Sequence, residues 1–153
     1  RFRGLLHRGT ISHGYGQGLA AEFDWVGTRD VGAWLSVPDG IAYGEKLGWA
    51  KIRARNDGMI DQAVALLARA WGTRIGAPQG FRAHMGIVEI PLAGPADEAR
   101  AQKLWTKLYD VHRIQMPVIA FAGALWARPS AQIYNELPDY EALAQVDWRK
   151  LDD

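Results

Sequence analysis

The stretch from Trp49 to Trp71 constrains the fold most, because it combines helical length, a helical repeat and a stop signal. Four apolar residues recur at spacings of four and three, which places them on one helix face: Ile60, Val64, Leu67 and Trp71. Three charged residues fall off that face: Arg53, Arg55 and Asp57. Gly72 follows as a C-cap. The stretch is predicted to be one long amphipathic helix, whose apolar face needs other elements to cover it.

Those elements are predicted downstream of the helix. Residues 82–92 have the composition of a strand, and Asp97 to His112 has the pattern of an amphipathic helix. The apolar stripe of that helix consists of Ala101, Leu104, Leu108 and Val111. Two strand-like runs follow, at 113–123 and 124–135, and Gly123 lies where a hairpin would turn. Residues 137–151 close the chain as a short helix, with Leu143 and Val146 facing the core.

The segment before Trp49 is less regular. Residues 1–30 are rich in glycine and have little intrinsic secondary structure. Asp30 could cap a helix over residues 31–48, which Pro38 and Gly40 would bend or interrupt. Its apolar area would come from Ala33, Leu35, Val37, Ile41 and Leu47. The order of elements predicts an α+β fold, in which helices pack with a small, mainly antiparallel sheet.

Composition excludes several classes of function. The net charge of +1 gives no electrostatic case for binding nucleic acid or an anionic membrane. No apolar run approaches the roughly 20 residues that span a bilayer. The absence of cysteine excludes disulfides, thiolate metal sites and a cysteine nucleophile, and it is compatible with a cytoplasmic location. Seven tryptophans are many for this length, and we expect some of them to face another domain or subunit.

The usual catalytic motifs are missing. The four histidines are scattered without a close pair or an acidic cluster, so we expect no metal site. The chain has no G-x-S-x-G motif, and "GYGQG" at 14–18 lacks the G-x-G-x-x-G pattern of a dinucleotide-binding loop.

Two positions are candidates for binding anions. In "GTRD", Thr28 and Arg29 offer a hydroxyl, a guanidinium and N–H groups just before a predicted helix. Alternatively, Asp30 caps that helix and Arg29 forms a surface salt bridge. Arg128 lies in an apolar, aromatic strand, where its planar fork suits a carboxylate. Alternatively, Arg128 is an edge-strand residue that points to water, a position that Pro129 would favour.

Two long blocks carry a resemblance to a known family. The blocks are "SHGYGQGLAAEFDWVGTRDVGAWLSVPDGIAY" at 12–43 and "RPSAQIYNELPDYEALA" at 128–144. They resemble class V aminotransferase-like enzymes, most closely the isopenicillin N epimerase-like branch, in which the second block begins close to R-I-S-x-x-Y-N. The resemblance covers nearly the whole chain. Pro129 departs from the pattern beside Arg128.

The resemblance implies a fold-type I enzyme that uses pyridoxal 5′-phosphate to act on an amino acid, normally as a homodimer. It implies that Thr28 binds the cofactor phosphate of the neighbouring subunit, with support from Arg29. Arg128 would bind the substrate α-carboxylate. Four further residues would line the site: His13, Tyr15, Tyr134 and Asn135.

The family's cofactor lysine follows a histidine, and none of the five lysines here does. The chain also begins with Arg1, and its first methionine is Met59. We therefore expect a C-terminal fragment that lacks the N-terminal part of the large domain and is inactive alone. Residues 1–48 would be the end of the large domain, and residues 49–153 the small α+β domain.

Other functions remain open. The chain could be a stand-alone, non-catalytic module that binds a carboxylate or a protein. The parent enzyme could be an isomerase, a transferase, or a lyase that removes a β-substituent. Cysteine desulfurases of this fold carry a sulfur-accepting cysteine in the C-terminal region, so the resemblance disfavours desulfurase chemistry.

Overall fold

A computed structural model of the chain describes residues 6, 9, 11, 13–24 and 27–153. The chain divides into two compact units, Arg1–Tyr43 and Gly44–Asp153. The first unit contains helices α1 (Leu19–Asp24) and α2 (Gly32–Leu35). Helix α3 spans Val37–Leu47, and the boundary between the units falls inside it.

Helix α1 is a correction within the segment predicted to be irregular. A hydrogen bond joins α1 to the turn before it: the backbone N–H of Gly16 donates to the Glu22 carboxylate at 3.0 Å. Because glycines are frequent in this segment, the sequence pattern did not predict the helix.

The interruption predicted for residues 31–48 occurs earlier than expected. It lies at Ser36, between α2 and α3, and Pro38 is the second residue of α3. Proline is tolerated in the first turn of a helix, where its missing N–H costs nothing. Pro38 therefore stands at the start of a helix and does not bend one. Asp30 accepts a hydrogen bond from the Gly32 backbone N–H at 2.8 Å.

Helix α4 confirms the longest predicted element, because it spans Trp49–Trp71. Ile60, Val64 and Leu67 are fully buried. Gly72 ends the helix in the left-handed conformation, with φ 67°. The periodicity and the terminal glycine together predicted both the face and the end.

Helix α5 spans Glu98–His112, and Asp97 caps it by accepting from the Arg100 backbone N–H at 2.9 Å. Three of the four predicted stripe residues are buried: Ala101, Leu104 and Leu108. Val111, in the last turn, is 64% exposed, so its predicted burial is wrong.

The sheet has three antiparallel strands in the order β1-β3-β2, with β1 at Val88–Glu89, β2 at Val118–Phe121 and β3 at Ala124–Ala127. The predicted hairpin is confirmed, and Phe121 pairs with Ala124 across a two-residue turn. Ala122 and Gly123 both have positive φ, at 49° and 75°. That combination is typical of a type I′ turn, whose twist matches the flanking strands.

The predicted C-terminal helix is two helices, α6 (Leu137–Ala144) and α7 (Trp148–Asp152). The break follows from Asp147, which accepts from the Lys150 backbone N–H and caps a new helix. Leu143 and Val146 are buried, as predicted. The mixture of helices with a small antiparallel sheet confirms the α+β fold.

The core of the second unit joins α4, α5 and the sheet with the two C-terminal helices. Trp71 and Trp148 meet edge to face, with ring centroids 5.5 Å apart. No helix among the described residues is long and apolar enough to cross a membrane.

Candidate carboxylate-binding site

Strand pairing continues beyond the assigned strands, and two prolines each remove one backbone donor beside Arg128. On one side, Val88 pairs with Ala127, and the same register reaches a bridge between Met85 and Ser130. The Gly86 backbone N–H donates to the Pro129 carbonyl at 3.0 Å. Pro129 has no N–H to return that bond, so this ladder loses a rung beside Arg128.

A second proline limits the pairing on the other side. The Arg128 backbone N–H donates to the Pro117 carbonyl at 3.0 Å, one position beyond the Val118–Ala127 pair. Pro117 likewise cannot donate in return. Arg128 thus lies where both ladders lose a donor, directly after the central strand. The edge position in the alternative reading of Arg128 is therefore wrong, since pairing continues on both of its sides, but its side chain is exposed to water as that reading expected.

A cavity of about 350 Å³ lies beside Arg128. It is lined by residues 114–117, 128–130 and 134–135, and by Asp139, Tyr140 and Leu143 of α6. The volume is at the lower end of the range for small-molecule sites. Polar and apolar residues both line the cavity, a mixture that suits a small polar ligand.

The Arg128 side chain is exposed, and no described residue forms an ion pair or a side-chain hydrogen bond with it. Its backbone is held by the bond to Pro117, whereas its guanidinium is left for a ligand. A planar guanidinium presents two parallel N–H groups, which match the two oxygens of a carboxylate. The cavity can therefore bind an anion at this end.

The turn of residues 132–135, called here the 132–135 turn, forms one wall. Tyr134 is exposed and lines the cavity. Asn135 also lines it, but both ends of its amide are engaged. Its Oδ1 accepts from the Gln132 backbone N–H at 3.0 Å, and its Nδ2 donates to the Asp139 carboxylate at 3.3 Å. Asn135 therefore shapes the wall, and one amide hydrogen remains for a ligand.

Tyr140 is a lining residue that sequence reasoning did not single out. Its hydroxyl donates to the Ser130 carbonyl at 2.7 Å, which ties α6 to the segment after Arg128. Burial raises the pKa of Tyr140, with a further contribution from Asp139, while Arg55 acts in the opposite direction. The phenol therefore remains a neutral donor to the Ser130 carbonyl. Its only sequence signal was its place in the D-Y pair of the second block.

The other predicted site residues, Thr28, Arg29 and His13, belong to the first unit. All three are exposed. Arg29 forms no ion pair with a described residue, so the predicted surface salt bridge is absent from that part of the chain. Within residues 6, 9, 11, 13–24 and 27–153, no group of three or more His, Asp or Glu side chains could hold a metal ion.

All five lysines lie in helices, as predicted: Lys46, Lys51, Lys103, Lys107 and Lys150. None of them lines the cavity at Arg128. The cavity therefore has a guanidinium, that of Arg128, and no lysine amine among its lining residues.

Comparison with known proteins gives a consistent set of relatives, although no family model matches the chain. The chain is 34% identical over 151 residues to the "Probable L-cysteine desulfhydrase, chloroplastic" of Arabidopsis thaliana, covering 90% of the chain and 31% of that relative. It is 31% identical over 159 residues to the "Putative L-cysteine desulfhydrase 1" of Oryza sativa subsp. japonica, covering 90% and 33%.

A third relative is the "Isopenicillin N epimerase" of Streptomyces clavuligerus, at 31% identity over 121 residues, covering 78% of the chain and 29% of the relative. The chain thus spans about a third of the length of these curated relatives. Over the part that it covers, the chain is therefore homologous to L-cysteine desulfhydrases and isopenicillin N epimerase, which are pyridoxal phosphate-dependent, class V aminotransferase-like enzymes.

Proposed function

We propose that the chain is the carboxylate-recognising part of a pyridoxal phosphate-dependent enzyme that acts on an amino acid. The observation that carries the proposal is the free Arg128 guanidinium at a cavity that Pro117 and Pro129 also line. Arg128 would hold the α-carboxylate by a two-point contact, and Tyr134 and Asn135 would close one wall around the substrate.

The residues of the first unit fit the cofactor by their chemistry. Thr28 and Arg29 are exposed, and neither side chain bonds to a described residue. A hydroxyl and a guanidinium are suitable donors for the cofactor phosphate, which we propose that they bind across a homodimer interface. When bound, pyridoxal phosphate supplies an electron sink for reactions at the substrate α-carbon.

Among the reactions open to this family, we propose a lyase reaction in which cysteine loses its β-substituent. The named desulfhydrases match 90% of the chain, against 78% for the epimerase. Elimination breaks the Cβ–S bond and releases sulfide directly, so no protein thiol has to accept the sulfur. A chain without cysteine is compatible with that chemistry. Epimerisation is the second candidate, favoured by the match to isopenicillin N epimerase.

The covalent step needs a lysine that these residues do not supply. Each lysine lies in a helix, and none of them lines the cavity at Arg128. We therefore propose that the cofactor lysine belongs to another part of the enzyme and that this chain alone is inactive. A cytoplasmic location stays an expectation, and one relative is named chloroplastic.

The test measures sulfide release from L-cysteine by the longer protein that carries this chain and the lysine. Replacing Arg128 with Ala should lower kcat/KM by roughly 100-fold, because two charge-assisted hydrogen bonds to the substrate are lost. Arg128→Lys keeps the charge but loses the fork, so it should recover part of that loss.

Arg149→Ala serves as the control, since Arg149 is an exposed arginine of α7 that does not line the cavity. Equal activity of Arg128→Ala and Arg149→Ala would contradict the proposed role. Racemisation of an amino acid without sulfide release would favour the epimerase reaction. Binding of a carboxylate by the 153-residue chain, with no associated activity in any longer product, would favour a stand-alone binding module.

A further inference from the structure

We propose that Arg55, a residue of α4, is a positioning residue for the cavity at Arg128. Arg55 would act through the 132–135 turn, which it holds in place from the neighbouring helix. The proposal rests on the proposed function, because it assumes that Arg128 binds the substrate carboxylate.

Arg55 forms hydrogen bonds with both ends of the 132–135 turn. Its Nη1 donates to the Gln132 carbonyl at 3.1 Å, and its Nη2 donates to the Asn135 carbonyl at 2.7 Å. These carbonyls belong to the first and last residues of the turn, so one rigid guanidinium fixes their separation. Both bonds join positions nearly 80 residues apart in sequence, and they therefore couple α4 to the turn.

The next residue of α4 supports the same turn. Asn56 is fully buried, and its Nδ2 donates to the Gln132 side-chain Oε1 at 3.0 Å. That same oxygen accepts from the Ile133 backbone N–H at 2.8 Å. Two consecutive residues of a long helix thus hold the first half of the turn, and Arg55 alone reaches its end.

The position of the turn determines the shape of the cavity. Tyr134 and Asn135 line the cavity and are the last two residues of the turn. The Asn135 backbone N–H closes the turn by donating to the Gln132 carbonyl at 2.9 Å. Without Arg55, the Asn135 carbonyl would lose its side-chain partner, and the wall that faces the substrate would become mobile.

The acceptors distinguish this role from an ordinary surface charge. Arg55 bonds two neutral main-chain carbonyls, and it forms no ion pair with a described carboxylate. A lysine at position 55 would keep the positive charge, but a single ammonium cannot reproduce the two-point geometry. Arg55→Lys therefore separates charge from positioning.

The experiment uses the 153-residue chain and two NMR readouts. The first is hydrogen exchange of the Asn135 amide, which reports the order of the turn. The second is a titration with L-alanine, a probe that carries the α-carboxylate without a reactive side chain. Arg55→Ala should speed exchange at Asn135 and weaken L-alanine binding, each by about 3- to 10-fold, since both bonds are charge-assisted but lie at the surface.

Arg55→Lys should fall between Arg55→Ala and the unmodified chain in both readouts. Arg53→Ala removes an exposed arginine from the same helix and should change neither. The amide of Leu67, buried deep in α4, should exchange at an unchanged rate in all variants.

Three outcomes would overturn the proposal. If Arg55→Ala changes neither readout while Arg128→Ala weakens L-alanine binding, Arg55 does not position the cavity, and the role of Arg128 stands. If exchange at Leu67 speeds up as much as at Asn135, Arg55 serves general stability. If Arg128→Ala binds L-alanine as tightly as the unmodified chain does, the carboxylate role of Arg128 fails, and the positioning role fails with it.

Discussion

At the scale of single residues, Arg128 combines an exposed guanidinium with a backbone that Pro117 holds by a hydrogen bond and that Pro129 follows. An arginine in an apolar strand was a visible anomaly, because an unpaired cation is costly among apolar groups. Pro129 suggested an edge position, yet it lies on the continuation of the central strand. The sequence did not show that Pro117 also removes a backbone donor beside Arg128. Only the register of β2 against β3 brings Pro117 opposite Arg128.

The contacts of Arg55 were likewise not predictable from the sequence. The helical repeat of α4 predicted correctly that Arg55 lies off the apolar face. Its acceptors are two carbonyls on a turn that is remote in sequence, and no local pattern identifies such partners. Roles that depend on long-range main-chain contacts therefore became visible only in the structure.

Asp152 provides a prediction at this scale. Its carboxylate forms a two-point contact with Arg100, at 2.9 Å to Nε and 2.5 Å to Nη2. Arg100 also donates to the carbonyls of Ala93 and Pro95. Replacing Asp152 with Asn should lower the free energy of unfolding by about 1–2 kcal/mol at neutral pH. Urea unfolding measures the difference, and Asp153→Asn, at an exposed neighbour, should leave stability unchanged.

The effect of Asp152 should depend on pH. The hydrogen bond from Arg100 lowers the pKa of Asp152, although partial burial opposes the shift. Stability from a carboxylate with a depressed pKa is present above its unfolded pKa of about 3.9 and is lost as the pH falls through its folded pKa. The stability difference between the unmodified chain and Asp152→Asn should therefore shrink below about pH 4. A difference that stays constant down to acid pH would contradict this account.

At the scale of elements, predictability followed the number of independent local signals. Helices α4 and α5 combined a periodic face with a cap or a terminal glycine, and their bounds were predicted to within a residue. The C-terminal helix lacked an obvious stop, and the capping role of Asp147 was overlooked. Strand β1 is short because its ladder is interrupted at Pro129, which lies some 40 residues away in sequence.

The β2–β3 hairpin offers a prediction at the element scale. Ala122 occupies a left-handed conformation that costs an alanine about 1 kcal/mol, whereas asparagine tolerates it. Ala122→Asn should therefore raise the free energy of unfolding by about 0.5–1 kcal/mol, as expected for an Asn-Gly type I′ turn.

The matched control places the same substitution in ordinary helical backbone. Ala142 is an exposed residue of α6, and Ala142→Asn should lower stability by about 0.5 kcal/mol. Chemical denaturation of both variants measures whether each substitution raises or lowers the free energy of unfolding. Equal destabilisation by both substitutions would mean that the turn does not have the type I′ conformation.

At the scale of the whole molecule, the two units differ in how far their apolar side chains are buried. The second unit buries the apolar residues of α4 and α5 in one core. In the first unit, the residues expected to supply apolar area remain exposed, including Leu35 at 71% and Ile41 at 51%. Sequence patterns predicted that area but not its exposure, because periodicity does not reveal what covers a face. We expect these exposed side chains to take part in an interface, as large apolar patches do.

The exposed surface can be tested by dye binding. A dye that fluoresces on apolar surfaces should bind the chain, and the double variant Val37→Ser/Ile41→Ser should reduce its fluorescence. The free energy of unfolding should change by less than about 1 kcal/mol, since both side chains are exposed. Asp39→Ser, a polar control on the same helix, should leave the fluorescence unchanged. Undiminished fluorescence in the double variant would place the dye elsewhere.

The unpaired guanidinium of Arg128 also has a consequence for association kinetics. A cation that is exposed, and that no described carboxylate neutralises, attracts an anion before contact. The reach of that attraction is set by the Debye length, about 30 Å at 0.01 M salt and about 8 Å at 0.15 M. Added salt should therefore slow the capture of a carboxylate more than it speeds its departure, because departure depends on contacts inside the cavity. Ionic strength would then change mainly the association rate constant of the carboxylate. The contacts inside the cavity would determine its dissociation rate constant.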